Sequence, residues 1–289
     1  MTHLSVAENR YICLNGEFRK TAEPCLYLQN RAFGSGNGLH ENLHAFATEL
    51  QFPEYHLERL FGNMRLLSME IPAYFTIDNF RQLTSQLLNK NRIFGGSVIR
   101  LSVYQDTPGN FIPDGGSVSF IIESQRLEYE KFVLNDRGLA VDLCTGYIKS
   151  TGPLSVVREA HSLHYLLAGM EGRKRNLDDV LLLNETGRLV ETHDSNIFLV
   201  SGNAIFTPGI SQGCIPGIMR RVVLDLAGNA GFRINDQSSL TPAALDDAEE
   251  LFLTNAVAGI RWVVAFRDRR YYKRAAKILN EKLNAKAFG

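Results

Sequence analysis

The stretch Glu191-Thr192-His193-Asp194-Ser195-Asn196-Ile197-Phe198-Leu199-Val200, followed by Thr207-Pro208 and then Gly213-Cys214-Ile215-Pro216-Gly217-Ile218-Met219-Arg220, constrains this chain most. Its pattern reads as a strand, a tight hairpin, a second strand and then a glycine-bounded turn that opens a helix. Ile218, Val222, Val223 and Leu226 recur at helical spacing, so the helix starts near Gly217. The first N–H groups of such a helix have no partner within it and offer a place for an anion. An acid, Glu191, heads the same unit.

The rest of the composition narrows the setting. With 289 residues and 45% hydrophobic content, the chain is long enough for two domains or one large one. Its 31 Lys and Arg balance 31 Asp and Glu, which argues against a nucleic-acid or membrane-surface partner, since those usually require a basic excess. The basic cluster at 267–274 reads as a solvated strand end and helix start. No apolar run approaches the ~20 residues of a membrane span, and Met1-Thr2-His3-Leu4-Ser5 does not begin a charged-then-apolar leader. The expected location is cytoplasmic. Cys13, Cys25, Cys144 and Cys214 are far apart, without a C-x-x-C pair, and are expected to be reduced and mostly buried.

Tyr11 to Leu14 reads as a strand entering a hairpin at Asn15-Gly16, and Cys25-Leu26-Tyr27-Leu28 as the next strand. Asn30 to Gly38 reads as a glycine-rich turn too flexible for a helix. A strand is expected over about 39–48. A helix then starts at Pro53, with Leu57, Leu60, Met64 and Leu67 on one face and His56 near Arg59. A second helix fits 77–89, and strands at 98–103 and 118–122 pair across a Pro/Gly-rich loop. These elements define a small α+β domain at 1–135, followed by an interdomain segment at 136–150 and a larger domain at 151–289. The latter is expected to hold helices at 160–173, 217–227, 242–245 and 274–284, with strands at 179–183, 250–254 and 262–266.

The order of these motifs resembles the class IV aminotransferase family, the fold-type IV enzymes that use pyridoxal phosphate, among them branched-chain aminotransferases, D-amino-acid aminotransferase and aminodeoxychorismate lyase. The resemblance rests on Leu14-Asn15-Gly16, Asn30-Arg31-Ala32-Phe33, His56-Leu57-Glu58-Arg59-Leu60, Leu181-Leu182-Leu183-Asn184, Glu191 to Phe198, Gly213 to Arg220 and Phe252-Leu253-Thr254-Asn255-Ala256. It implies a two-domain α/β (α+β) fold and a homodimer. It also implies that Glu191 pairs with the pyridine nitrogen, that Arg59 holds the phosphate, and that the Gly217-Ile218 turn donates N–H groups to the same phosphate. Ser195, Asn196, Thr254 and Asn255 fall on the cofactor side in this scheme. Without the resemblance, Glu191 reads equally as an exposed strand acid and Arg59 with His56 as a polar helix start.

The family's chemistry begins with a bond between the cofactor aldehyde and an uncharged lysine amine. Counting ten residues back from Ala168 of the Leu167-Ala168 pair lands on Arg158. A guanidinium stays protonated and makes no stable bond of that kind, although it holds a carboxylate or phosphate at two points. Arg158 alternatively bridges Glu159 at a helix start. A slip of a few residues places His161 at the position, and Lys149, nine residues earlier, reads as a solvated loop lysine. His161 and His164 read as a half-buried polar edge or as a proton-transfer pair. Asn37, His40 and Asn42 depart from the family pattern on the substrate side.

His40-Glu41-Asn42-Leu43-His44 spells H-E-x-x-H, a zinc pattern only on a helix. On the expected strand the two imidazoles lie ~13 Å apart, so no metal is expected. Three functional readings follow. The first is an aminotransferase- or lyase-like protein that binds pyridoxal phosphate non-covalently over Arg59, Glu191 and Gly217-Ile218, with Arg158 holding a small anionic molecule. The second is a cofactor-free enzyme acting on an anionic substrate, with His40, Glu159 or His161 as acid and base. The third is a non-catalytic scaffold.

Overall fold

The computed structural model describes residues 10–24, 30–107, 112–160 and 162–289. The chain divides into two compact units, the first running to Glu130 and taking back a short return near 158–160, the second holding the remainder.

In the first unit, β1 (Tyr11–Leu14) and β2 (Glu17–Lys20) form a hairpin. A one-turn helix α1 (Arg31–Ser35), strands β3 (Gly38–Phe46) and β4 (Glu49–Leu50), helices α2 (Pro53–Leu66) and α3 (Ile77–Lys90), and strands β5 (Ser97–Gln105) and β6 (Val118–Arg126) follow. The strands make one sheet in the order β2-β1-β6-β5-β3-β4. Leu57, Leu60 and Met64 of α2 and Leu87 and Leu88 of α3 are buried with Leu43, Ile99, Leu101 and Ile122 of the sheet, so the apolar stripe of each helix covers sheet surface. The H-E-x-x-H residues lie on β3, paired along their length with β5, and cannot share one ion.

Two expectations fail here. Arg31–Ser35 is helical rather than a turn, because a single turn closes when the Gly34 N–H reaches the Asn30 carbonyl at 3.0 Å. Residues 158–160, expected to start a helix, are not helical, and the helix begins at Leu163. They follow a 3₁₀ turn at Pro153–Val156 and lie along the start of β3, where the His40 N–H donates to the Arg158 carbonyl (3.2 Å) and the Ala160 N–H to the Gly38 carbonyl (2.9 Å). The expected strand at Cys25 to Leu28 and the position of His161 fall outside the described residues.

The second unit contains β7 (Leu139–Lys149), α4 (Leu163–Lys174), β8 (Asp179–Asn184), β9 (Leu189–Thr192), β10 (Asn196–Ser201) and β11 (Ala204–Pro208). Then come α5 (Ile218–Asn229), β12 (Arg233–Ser238), α6 (Ala244–Asp247), β13 (Glu250–Asn255), β14 (Gly259–Phe266), β15 (Arg269–Arg270) and α7 (Arg274–Phe288). Its sheet runs β12-β11-β10-β13-β14-β7-β8-β9, and a pairing of Glu191 with Asn196 returns β9 to β10. Six strands thereby close on themselves. Alternate residues such as Val141, Leu181, Ile197, Leu199, Leu251, Leu253 and Val263 pack into one core on one face of this ring. On the other face Phe198 and Phe252 stack at 4.9 Å between ring centroids. The segment expected between domains is therefore a long strand of this ring, paired with both β14 and β8.

Cys13, Cys144 and Cys214 are free and buried. Among the described residues no helix is long and apolar enough to cross a membrane.

Candidate functional site

The strand pairing that closes the ring also builds the site. Glu191 of β9 lies opposite Asn196 of β10, and Asn196 lies opposite Thr254 of β13. Directly opposed residues project from the same face of an antiparallel pair, so Glu191, Asn196 and Thr254 form one buried row. The turn before α5 packs on that row. The Ile215 N–H donates to Glu191 Oε2 (2.9 Å), while Asn196 Nδ2 and the Gly217 N–H both donate to the Ile215 carbonyl (2.9 and 2.8 Å).

Two glycines permit this approach. Gly213 has φ 98°, and a Cβ there would lie 2.8 Å from the Ser150 carbonyl oxygen. At Gly217 a Cβ would lie 1.9 Å from Asn196 Oδ1. No side chain caps α5, so the opening turn of the helix keeps its positive end beside the row. Thr254 Oγ1 is buried there without a hydrogen-bond partner.

The buried acid has two more partners. Lys149, the last residue of β7, is 3% exposed, and its Nζ donates to Glu191 Oε1 and to Tyr165 Oη. The Tyr165 hydroxyl, from the first turn of α4, donates to the same Oε1 at 2.5 Å. The Lys149 ammonium also sits 4.9 Å from the centre of the Tyr165 ring. Taking two charges out of water costs several kcal/mol per ion unless each is closely paired. The three-way contact supplies that pairing.

The burial of Lys149, a residue expected in solvent, has a local cause. The register of β7 against β8 shifts between Leu143 and Ile148. The shift sends Ile148 outward, 63% exposed, and Lys149 inward. His164 completes the surroundings, its ring centre 4.0 Å from that of Tyr165 and its Nε2 buried without a partner. Burial, and then the Lys149 charge, hold its pKa below the usual imidazole value. The Cys214 thiol beside the turn is pushed up to about 12 by burial and by the charge of Glu191, so it stays protonated.

Ser195, just before β10, and Asn255, the last residue of β13, both expected on the cofactor side, adjoin Asn196 and Thr254 in sequence but serve a different network. Ser195 Oγ donates to Asp194 Oδ1 (2.6 Å) and accepts from Arg261 Nη2 (2.9 Å) and Asn255 Nδ2 (3.1 Å). Asn255 Oδ1 accepts from the Val257 and Ala258 N–H groups. Both hold turns. Asp179, His193 and Asp194 bring potential metal-ligand atoms within 4.8 Å of one another. Arg261 Nη2 reaches Asp194 Oδ1 at 2.8 Å and Asp179 Oδ2 at 3.4 Å, supplying the positive charge in their midst.

The other expected site residues belong to the first unit. Arg59 grips Glu41 with Nε on Oε1 (2.8 Å) and Nη2 on Oε2 (2.5 Å), and His56 Nδ1 lies 2.6 Å from the same Oε2. Burial of Glu41 opposes its ionisation, but the Arg59 charge and the His56 bond outweigh it and hold its pKa at about 2. His40 is lowered to about 4 by burial and then by the charges of Arg158 and Arg100, so it is neutral near pH 7. Half-buried Arg158 meets β3 through its carbonyl, and Glu159 bridges Leu39. These residues surround β3, whereas Glu191, Asn196, Thr254 and the Gly217-Ile218 turn come together in the second unit.

Known proteins share this arrangement of strands and helices. The branched-chain amino acid aminotransferase of Thermobaculum terrenum in its PLP-form (holo-form) superposes with a TM-score of 0.81 at 20% identity, covering 97% of this chain and 96% of that one. The aminodeoxychorismate lyase of Vibrio harveyi is 21% identical over 235 residues, 81% of this chain and 84% of that protein. The branched-chain-amino-acid aminotransferase-like protein 2 of Arabidopsis thaliana is 26% identical over 245 residues, 81% of this chain. The chain spans only 42% of that protein's length. Residues 38–266, which include both β3 and the whole Glu191 row, match the family model for amino-transferase class IV. The chain belongs to the class IV aminotransferase family.

Proposed function

We propose that the chain is a pyridoxal-phosphate enzyme that acts on the amino group of a small carboxylate-bearing substrate, as an aminotransferase or a lyase. The observation that carries this reading is the placement of Glu191. It is a buried carboxylate fixed by the Ile215 N–H, and it lies beside a helix start that has no side-chain cap.

The residues fit such a cofactor. Glu191 faces the site of a ring nitrogen and favours its protonated form, since a buried carboxylate stabilises a positive partner. The opening N–H groups of α5 suit a phosphate. Buried Thr254 Oγ1, unpartnered within the protein, has a hydroxyl to offer an anion on the same row. The bare Cα of Gly217 keeps that approach open, because any larger residue would strike Asn196. When bound, pyridoxal phosphate supplies an aldehyde that joins amines and a ring that delocalises the electron pair left on the substrate carbon.

Equilibrium dialysis of the purified protein against pyridoxal phosphate tests the reading. We expect about one cofactor per chain, and at least tenfold weaker binding for Glu191→Gln, which removes the charge opposite the ring nitrogen. Absence of binding by the unaltered protein overturns it.

A further inference from the structure

From the pairing of Leu143 with Leu181 to that of Ile148 with Leu183, β7 advances five residues while β8 advances two, a surplus of three. Strand side chains alternate faces, so an odd surplus reverses every face beyond it. In an unbroken strand Lys149 would share the face of Leu143, which packs against the core around Val141 and Leu181. With the bulge, Lys149 instead pairs with Asn184, two residues beyond Leu182, and Leu182 lies opposite Glu191. The bulge delivers the lysine to the acid.

One side chain of α4 gathers the backbone of that bulge. Glu171 accepts the Thr145 N–H and hydroxyl on Oε1 (2.9 Å each), the Gly146 N–H on Oε2 (2.9 Å) and the Cys144 thiol on Oε2 (3.3 Å). Arg175, at the end of the same helix, donates to the Leu143 carbonyl (2.7 Å) and to Glu171 Oε1 (3.0 Å). Thr145 and Gly146 are exposed, so water could satisfy their N–H groups. What the carboxylate adds is a fixed place for them. Burial opposes the ionisation of Glu171, but the Thr145 and Gly146 N–H groups outweigh it and hold its pKa at about 2. Tyr165, six residues earlier in α4, meets Lys149 Nζ directly. The helix that shapes the bulge also receives its lysine.

We propose that Glu171 is a positioning residue of the candidate site, closing the β7 bulge so that Lys149 Nζ is held against Glu191 and Tyr165. The inference rests on the preceding reading of the Glu191 row as a cofactor cradle. Glu171→Gln keeps the size of the side chain but turns one acceptor oxygen into an NH₂ donor. That group faces N–H or hydroxyl donors whichever way the amide is turned, so one arm of the clamp is lost.

Trace acetylation of lysines with acetic anhydride, mapped by mass spectrometry, tests the hold on Lys149 without any cofactor. The unaltered protein is compared with Glu171→Gln and with Thr145→Val, which removes only the hydroxyl donor. Acetylation of Lys149 should rise about tenfold or more in Glu171→Gln, as for loss of a hydrogen bond to a charged group, and less in Thr145→Val. Hydrogen exchange in β13, elsewhere in the ring, should stay unchanged. Unchanged acetylation in both variants overturns the inference, and so does a rise accompanied by faster exchange in β13, which marks general loosening. Dialysis against pyridoxal phosphate supplies the second arm. Glu171→Gln should retain the cofactor about threefold or more weakly, the scale of coupling from a residue that does not touch the ligand, and equal retention overturns its service to the cradle. Failure of the unaltered protein to retain cofactor overturns the cradle itself, while acetylation still decides whether Glu171 holds Lys149. If Glu171→Gln does not fold, Thr145→Val carries both arms with the same directions.

Discussion

Ile148 is 63% exposed and the next residue, Lys149, is 3% exposed, the reverse of what their side chains favour in water. A strand alternates faces, so one of the two must point inward. The register shift in β7 chooses the lysine, and Glu191 and Tyr165 meet its charge.

Removing only the cation should therefore be costly. Lys149→Met leaves the Glu191 charge buried with one ion-pair partner fewer, and breaking a buried pair in this way typically costs about 3–5 kcal/mol. The double variant Lys149→Met with Glu191→Gln removes both charges and should recover much of that loss. Urea midpoints of the two single variants and the double variant check this, and a strictly additive loss would contradict the pairing.

Glycine at 217 is expected to be irreplaceable for a steric reason rather than a backbone one. Its φ of −64° suits any residue, but a Cβ would lie 1.9 Å from Asn196 Oδ1. Gly217→Ala should cost about 1–3 kcal/mol through overpacking and displace the turn that carries the Ile215 N–H. Gly228→Ala, later in α5 with nothing within 4 Å of its Cβ, should instead stabilise by about 0.4–1 kcal/mol by restricting the unfolded chain. Thermal melts of both variants, with cofactor retention measured for Gly217→Ala, separate the two effects.

How far the chain reveals itself depends on whether a signal is local. The Gly213 to Arg220 turn and the Glu191 hairpin are legible because apolar period and glycine placement are set within a few residues. Lys149 is not, since its direction follows from a strand irregularity resolved only by pairing with β8. Ser195 and Asn255 neighbour the cup residues in sequence, yet their side chains bond within another network. β12 carries no clear signal because Arg233-Ile234-Asn235-Asp236-Gln237-Ser238 is a mostly polar strand of low β propensity, held parallel to β11. The single helical turn of Arg31–Ser35 is too short to carry a period.

Acid should unfold the first unit partly through Glu41. Its carboxyl titrates at about 2 in the folded chain, against 4.5 as its ordinary value. A depressed pKa contributes stability that is fully present above the unfolded value and is lost as pH falls from about 4.5 toward about 2. Glu41→Gln should remove this component, flattening stability against pH in that window while lowering stability at pH 7, where Arg59 loses its charged partner. Denaturant titrations at pH values spanning the window measure the slope. An unchanged slope in Glu41→Gln would assign the acid sensitivity elsewhere.

His193 should give the opposite sign at higher pH. Burial alone would lower its pKa, but Asp179, at 2.6 Å from Nδ1, and then Asp194 outweigh it and raise the value above 6.5. A raised pKa contributes stability that is fully present below 6.5 and is lost as pH rises through the folded value. The window therefore begins near 6.5 and extends upward. Asp179→Asn removes the main charge that keeps the imidazole protonated, and His193 should then titrate nearer its ordinary value or below it. The ring-proton shifts of His193, followed by NMR from about pH 5 to about pH 9 in both proteins, give the two titrations directly. A midpoint that does not fall in Asp179→Asn would remove Asp179 as the cause.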